Sequence, residues 1–160
     1  MTTNDPAAEA AGKEVVLERV IDAPREMVFK AWTDEEQMAR WWGPHGFTNP
    51  VCQLDVRPGG AIRIDMTDAD GAVYPMTGEF KEIVSPERLV FSAFAFDGQS
   101  DEPGLEALTT VTFADLGGKT KLTVKSVVVN VRVEFLEALA GMEEGWSQSL
   151  ERLEALLGAG

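Results

Sequence analysis

Several things are scarce in this chain of 160 residues, and each scarcity removes a class of answers. There is one cysteine, so no intrachain disulfide can form, and the sequence fits a reducing, cytoplasmic compartment. Cys52 lies within an apolar, alternating run and reads as a structural thiol. There is one histidine, and the His, Cys and carboxylate groups do not cluster at ligand spacing, so no metal site is expected. Asp68-Ala-Asp-Gly71 lacks the later bidentate glutamate of a calcium loop and reads as a hairpin turn. The Gly59-Gly60 and Gly117-Gly118 pairs follow no βαβ pattern, and Gly-x-Ser-x-Gly is absent. No cofactor is therefore expected, and no catalytic residue is assigned. Basic residues are outnumbered, 14 against 27 acidic, for a net charge of −13. Such a surface repels phosphate backbones and anionic headgroups, which argues against nucleic acid and membranes as partners. No apolar run approaches the roughly 18–20 residues that span a bilayer.

What remains is an ordinary globular composition, 44% hydrophobic and 26% charged. Residues 1–13 are polar and Ala-rich without a basic start, and are expected to be a flexible leader to a single domain over 14–158. Glu14–Ile21 is rich in β-branched residues and predicts a first strand. Asp22-Ala-Pro24 starts a short helix through Trp32, and Thr33-Asp34-Glu35-Glu36 caps a second one ending at Trp41. Strand-like runs then follow at Val51–Val56, Ala61–Thr67, Val73–Val84, Leu89–Phe96, Leu108–Ala114 and Thr120–Val128. Turn chemistry separates them, including Arg57-Pro-Gly-Gly60, Ser85-Pro86, the polar loop Asp97–Gly104 and Asp115-Leu-Gly-Gly118. With no room for helical crossovers, the strands must form an antiparallel meander.

The chain closes on an amphipathic stretch from Arg132 to Leu157, with Phe135, Leu139, Met142, Trp146, Leu150, Leu153 and Leu157 on one face. About 25 residues make a helix of ~38 Å, enough to cross a sheet. Gly141 and Gly145 interrupt it, each costing ~1 kcal/mol relative to Ala, and are expected to allow close packing on the sheet or to leave space beside Trp146. The expected architecture is α+β: seven antiparallel strands curved around the long C-terminal helix, with two short helices between the first and second strands.

The segment Trp41-Trp-Gly-Pro-His-Gly-Phe47 holds large aromatics on backbone that cannot be a regular element. It is either a core plug or the rim of an apolar cavity. Strand parity and helical spacing let Met66, Tyr74, Met76, Phe94, Met142 and Trp146 face the same interior volume, which gives a candidate ligand-binding set together with Trp41, Trp42, His45 and Phe47.

Ile21-Asp-Ala-Pro-Arg-Glu-Met-Val-Phe-Lys-Ala-Trp-Thr-Asp-Glu-Glu36 and Arg40-Trp-Trp-Gly-Pro-His-Gly-Phe47 resemble the opening of the activator of heat-shock protein 90 ATPase homologue family. That family lies within the START-like (SRPBCC) superfamily. Asp55-Val-Arg-Pro-Gly-Gly60, Tyr74-x-Met-x-Gly78, Glu82-Ile-Val-Ser-Pro-Glu-Arg-Leu89 and Gly141-Met-Glu-Glu-Gly-Trp146 are similar to its later blocks, in order, so the resemblance spans roughly Val15 to Leu157. It implies a helix-grip fold with a deep apolar pocket between sheet and C-terminal helix. Three readings of function stay open. The first is a binding protein for a small apolar or aromatic ligand. The second is a cyclase- or hydratase-type enzyme using His45, Tyr74 or Arg63, and the third is a co-chaperone-like interaction module. The sequence also leaves a homodimer open.

Overall fold

A computed structural model of the chain describes residues 12–96 and 103–158. The elements run β1 (Glu14–Ile21), α1 (Arg25–Thr33), α2 (Glu35–Trp41), β2 (Thr48–Leu54), β3 (Ala61–Thr67), β4 (Val73–Val84), β5 (Arg88–Ala95), β6 (Leu105–Asp115) and β7 (Thr120–Val131). A 3₁₀ turn (Val133–Phe135) leads into α3 (Leu136–Ala140) and α4 (Met142–Gly158). All seven strands form one curved antiparallel sheet in the order β1-β7-β6-β5-β4-β3-β2. The chain is thus α+β, with the helix-grip arrangement and the two short helices between β1 and β2.

Local chemistry accounts for the element ends. Pro24 precedes α1 in extended conformation, where its missing N–H costs nothing. Asp34 stops α1 and caps α2, its carboxylate accepting from the Gln37 backbone N–H at 3.2 Å. Asp68 builds the β3–β4 turn by accepting from the N–H groups of Asp70 and Ala72, both at 2.9 Å, so the Asp-rich run is a turn. Irregular register between Thr48 and Val51, Phe80 and Glu82, and Glu106 and Ala107 bends the sheet.

Two expectations need adjustment. The helix expected from Arg132 to Leu157 is divided at Gly141, so only Met142–Gly158 forms the long segment against the sheet. Gly has the weakest propensity of the non-proline residues for continuing a helix. Strands β6 and β7 also reach further than their apolar runs, because ladder pairing carries them into Leu105 and Val131, while β2 starts earlier, at Thr48, and stops at Leu54, short of the expected Val56. Of the leader expected over 1–13, residues 1–11 lie outside the described residues. Gly12 and Lys13 exchange backbone hydrogen bonds with Val128 beside β7. Residues 97–102 of the β5–β6 loop lie outside them too.

Alternation along the strands buries one face under α1, α2 and α4. The core is split into two clusters. The larger joins Trp32, Trp41, Phe80, Phe91 and Phe113 with Leu150 and Leu153 of α4. The smaller holds Val128, Val131 and Leu139, with Leu105, Phe135, Leu136 and Met142 against them.

Candidate functional site

Between the two clusters lies a cavity of about 530 Å³, within the ordinary range for a small-molecule site. Its floor is the inward face of the sheet: Met66 on β3, Tyr74 and Met76 on β4, Ala93 and Ala95 on β5, Leu105, Ala107 and Thr109 on β6, and Ser126 on β7. Its roof is Met142, Gly145, Trp146 and Ser149 of α4, with Gly141 and Phe135 ahead of that helix. Trp42, Gly43, Pro44 and Phe47 close one side.

The room comes from small side chains meeting across strands. Ala93 stands opposite Ala107 in the ladder, and Thr109 opposite Ser126. Above them, a Cβ built on Gly145 would meet only Pro44 Cγ, at 3.8 Å. Of the two roles expected for this glycine, the geometry matches space beside Trp146 rather than close contact with the sheet. Gly104 is the reverse case, since a side chain there would run into the Phe135 ring.

The segment from Trp42 to Phe47 is held to α4 by a set of polar contacts. Gly43 and Gly46 take positive φ, +94° and +88°, a region that favours glycine. The Gly43 N–H donates to Ser149 Oγ at 3.1 Å, and the His45 N–H donates to Gln148 Oε1 at 3.0 Å. Arg152 donates to the carbonyls of Arg40, Trp42, Gly43 and Pro44 at 2.9–3.1 Å. Partial burial lowers its pKa from the ordinary value, yet a guanidinium stays charged at any physiological pH. In the sequence, Arg152 lies off the apolar face of the helix. Its partners are backbone carbonyls about 110 residues away, and no local pattern announces them.

Seven of the ten candidate residues line the cavity: Trp42, Phe47, Met66, Tyr74, Met76, Met142 and Trp146. The other three stand apart. Trp41 is wholly buried in the larger core cluster, its Nε1 donating to the Ala31 carbonyl at 2.9 Å, so it is the core plug of the aromatic pair. His45 is exposed on the outer side of its loop, where Nε2 lies 2.9 Å from Glu151 Oε2. Phe94 alternates with Ala93 and Ala95 and so lies on the opposite sheet face, in a separate groove with Leu108 and Val129. Parity alone cannot say which face is inward, and β5 was assigned the wrong one.

Chemically the cavity is quiet. Tyr74 is the one titratable side chain among its described lining residues, and its hydroxyl donates outward to Asp68 Oδ2 at 3.2 Å, a bond that raises its pKa. Arg63 is on the outer face, paired with Asp65 at 3.2 Å. Cys52 packs beside the larger cluster, and burial, reinforced by Glu35, raises its thiol pKa to about 11. Among the described residues no group of three or more His, Cys, Asp or Glu side chains could hold a metal ion. No helix among them is long and apolar enough to cross a membrane.

Two hydroxyls form the polar spot on the floor. Thr109 Oγ1 and Ser126 Oγ are 3.0 Å apart, and each residue is only 1% exposed. The sequence reading did not single them out. Inward-facing hydroxyls on paired strands are visible only once the register is known.

Comparison with known proteins places this geometry in a family. The family described as "Activator of Hsp90 ATPase homolog 1-like protein" matches over residues 22–158. No curated protein matches the chain. Among solved structures, a protein of Arthrobacter aurescens superposes with a TM-score of 0.77 at 28% identity, over 98% of this chain and 91% of that one. The Mll3558 protein of Rhizobium loti gives 0.77 at 27%, over 91% and 96%. The AHSA1 (SPO3351) protein of Silicibacter pomeroyi gives 0.76 at 25%, over 92% and 99%. With strands β2 to β7, the divided C-terminal helix and the Trp42–Phe47 segment all inside the matched span, the chain belongs to the activator of Hsp90 ATPase homolog 1-like family.

Proposed function

We infer that the protein binds a small, largely apolar molecule in the cavity between α4 and the sheet, and that binding rather than turnover is its role. The observation that carries this is a 530 Å³ space walled almost entirely by apolar and small side chains. The fold is compatible with a ligand-binding or a co-chaperone-like module, and the cavity favours the first. An enzyme of the cyclase or hydratase type would need a proton donor or acceptor aimed at the substrate. His45 is turned outward, Tyr74 is bonded to Asp68 at the rim, and Arg63 is on the far sheet face.

The energetics suit such a role. Burying about 200 Å² of apolar ligand surface at ~25 cal/mol per Å² contributes ~5 kcal/mol. That corresponds to a Kd of roughly 0.2 mM before any polar contact is added. The methionines Met66, Met76 and Met142 adapt to irregular shapes, so selectivity by outline is expected to be loose. The acidic surface and the lone, half-buried Cys52 support a cytoplasmic setting without nucleic-acid or membrane partners.

Trp42 and Trp146 report on the site directly, because both stand in its wall. Titration with neutral aromatic compounds should change their fluorescence with saturation below about 1 mM (~−4 kcal/mol). Gly145→Leu, which extends a side chain into the space, should abolish that change while leaving the fold intact. Absence of saturable binding by any apolar compound would overturn the reading.

A further inference from the structure

The floor of the cavity contains an unfinished hydrogen-bonding arrangement. Thr109 and Ser126 face each other across the β6–β7 ladder with their oxygens 3.0 Å apart. A hydroxyl carries one proton and two lone pairs, so the pair consumes a single proton in its mutual bond. The second proton has no acceptor among the described residues. Both residues are 1% exposed, and both belong to the cavity lining. A buried donor is costly to leave unmade, and buried polar groups in native proteins almost always find a partner.

Other polar groups at the cavity are already engaged. Ser149 Oγ donates to the Gly145 carbonyl and accepts from the Gly43 N–H. The Tyr74 hydroxyl donates to Asp68 outside. No Asp, Glu, Lys, Arg or His is among the described lining residues. A carboxylate or an ammonium held against this lining would lose part of its hydration with no countercharge to meet it. A neutral oxygen would lose little and would complete the donor.

We propose that the Thr109–Ser126 pair is the polar anchor of the ligand site, and that the ligand is a neutral, mainly apolar compound presenting one acceptor oxygen, a ketone or an alcohol. The inference rests on the ligand-cavity reading above and narrows it. One hydroxyl donates to its neighbour, the neighbour donates to the ligand oxygen, and the apolar body of the ligand fills the space beneath Met142 and Trp146. Specificity then divides by physical origin: volume selects the carbon skeleton, and the hydroxyl pair selects against charge and for one placed oxygen. No bond is made or broken.

The test uses one skeleton with three ends: 2-acetylnaphthalene, its hydrocarbon counterpart 2-isopropylnaphthalene, and 2-naphthoate, each competed against the neutral dye Nile red. In the wild-type protein the ketone should bind at least tenfold more tightly than the carboxylate. Comparing the ketone-to-hydrocarbon affinity ratio between proteins cancels the differing hydration of the ligands. That ratio should fall five- to tenfold in Thr109→Val/Ser126→Ala, with hydrocarbon affinity changed less than twofold, and should be retained in Thr109→Ser. A second measurement needs no variant. The carbonyl stretch of isotope-labelled ketone bound to the wild-type protein should lie below its frequency in an alkane. An unchanged ratio, an alkane-like stretch, or a carboxylate bound as tightly as the ketone overturns the anchor while leaving the cavity reading standing if the hydrocarbon binds. If neither the hydrocarbon, the ketone nor the dye binds, the cavity reading fails and the anchor falls with it.

Discussion

Along β5 the inward side chains are Leu89 and Phe91 near one end and Ala93 and Ala95 near the other; along β6 they are Phe113 and Val111, then Thr109 and Ala107; along β7, Leu122 and Val124, then Ser126. The same three strands therefore build two unlike interiors. Where Leu89 and Phe91 meet Trp32, Met38 and Trp42, a void of only about 10 Å³ is left, barely the size of one water and lined by apolar groups. Where the small residues meet α4, about 530 Å³ stays open. Tight packing is concentrated in the first region, and open space is left in the second. Trp146 stands on the boundary. It stacks on Trp32 at 6.0 Å, meets Trp42 edge-on at 5.4 Å, and turns its remaining surface to the cavity.

The contrast is sharpest for tryptophans on the two sides. Trp32 is fully buried among Trp41, Phe91 and Phe113, so Trp32→Ala should cost ~3–5 kcal/mol, read as a lowered urea midpoint. Trp146→Ala should cost less, about 1–3 kcal/mol, because half-burial leaves less contact to lose, and should weaken ligand binding, which Trp32 does not touch. Equal losses for the two variants would erase the division between filled and open regions.

Enlarging residues probes the same division from the other side. Val111→Phe adds volume where none is free and should destabilise by ~1–3 kcal/mol. Ala93→Leu adds it beside the open space and should change stability by less than ~1 kcal/mol while blocking ligands, as followed by thermal unfolding and dye binding. A large loss from Ala93→Leu would mean that the space is not truly available. The smallest expected effect is a gain. Gly145→Ala should stabilise by about 0.5–1 kcal/mol, since the new Cβ finds only Pro44 Cγ at 3.8 Å and helix propensity improves.

Much of the architecture was legible before any coordinates. Asp34 and the Asp68–Gly71 turn declared element ends through local hydrogen bonding, and β-branched runs between Gly- and Pro-rich turns left only an antiparallel meander. The candidate site was legible in outline only. Trp42 and Phe47 reach the cavity, but adjacent Trp41 is core, and a single rotation of backbone separates the two fates. Phe94 was misassigned because period-two alternation gives two faces without saying which is covered. Arg152 carries no local signal of its role, since its carbonyl partners lie in a distant loop.

By itself, then, the sequence determined the local elements, their order and the presence of one apolar stripe per element, because caps, turns and periodicity act over three or four residues. Tertiary structure alone decided where the interior is filled and where it is empty. Ala93 makes room only because the ladder sets Ala107 beside it, and Thr109 and Ser126 become a donor pair only because β6 and β7 pair in that register. Volume and hydrogen-bond complementarity are properties of residues brought together across the sheet, and no stretch of chain holds them on its own.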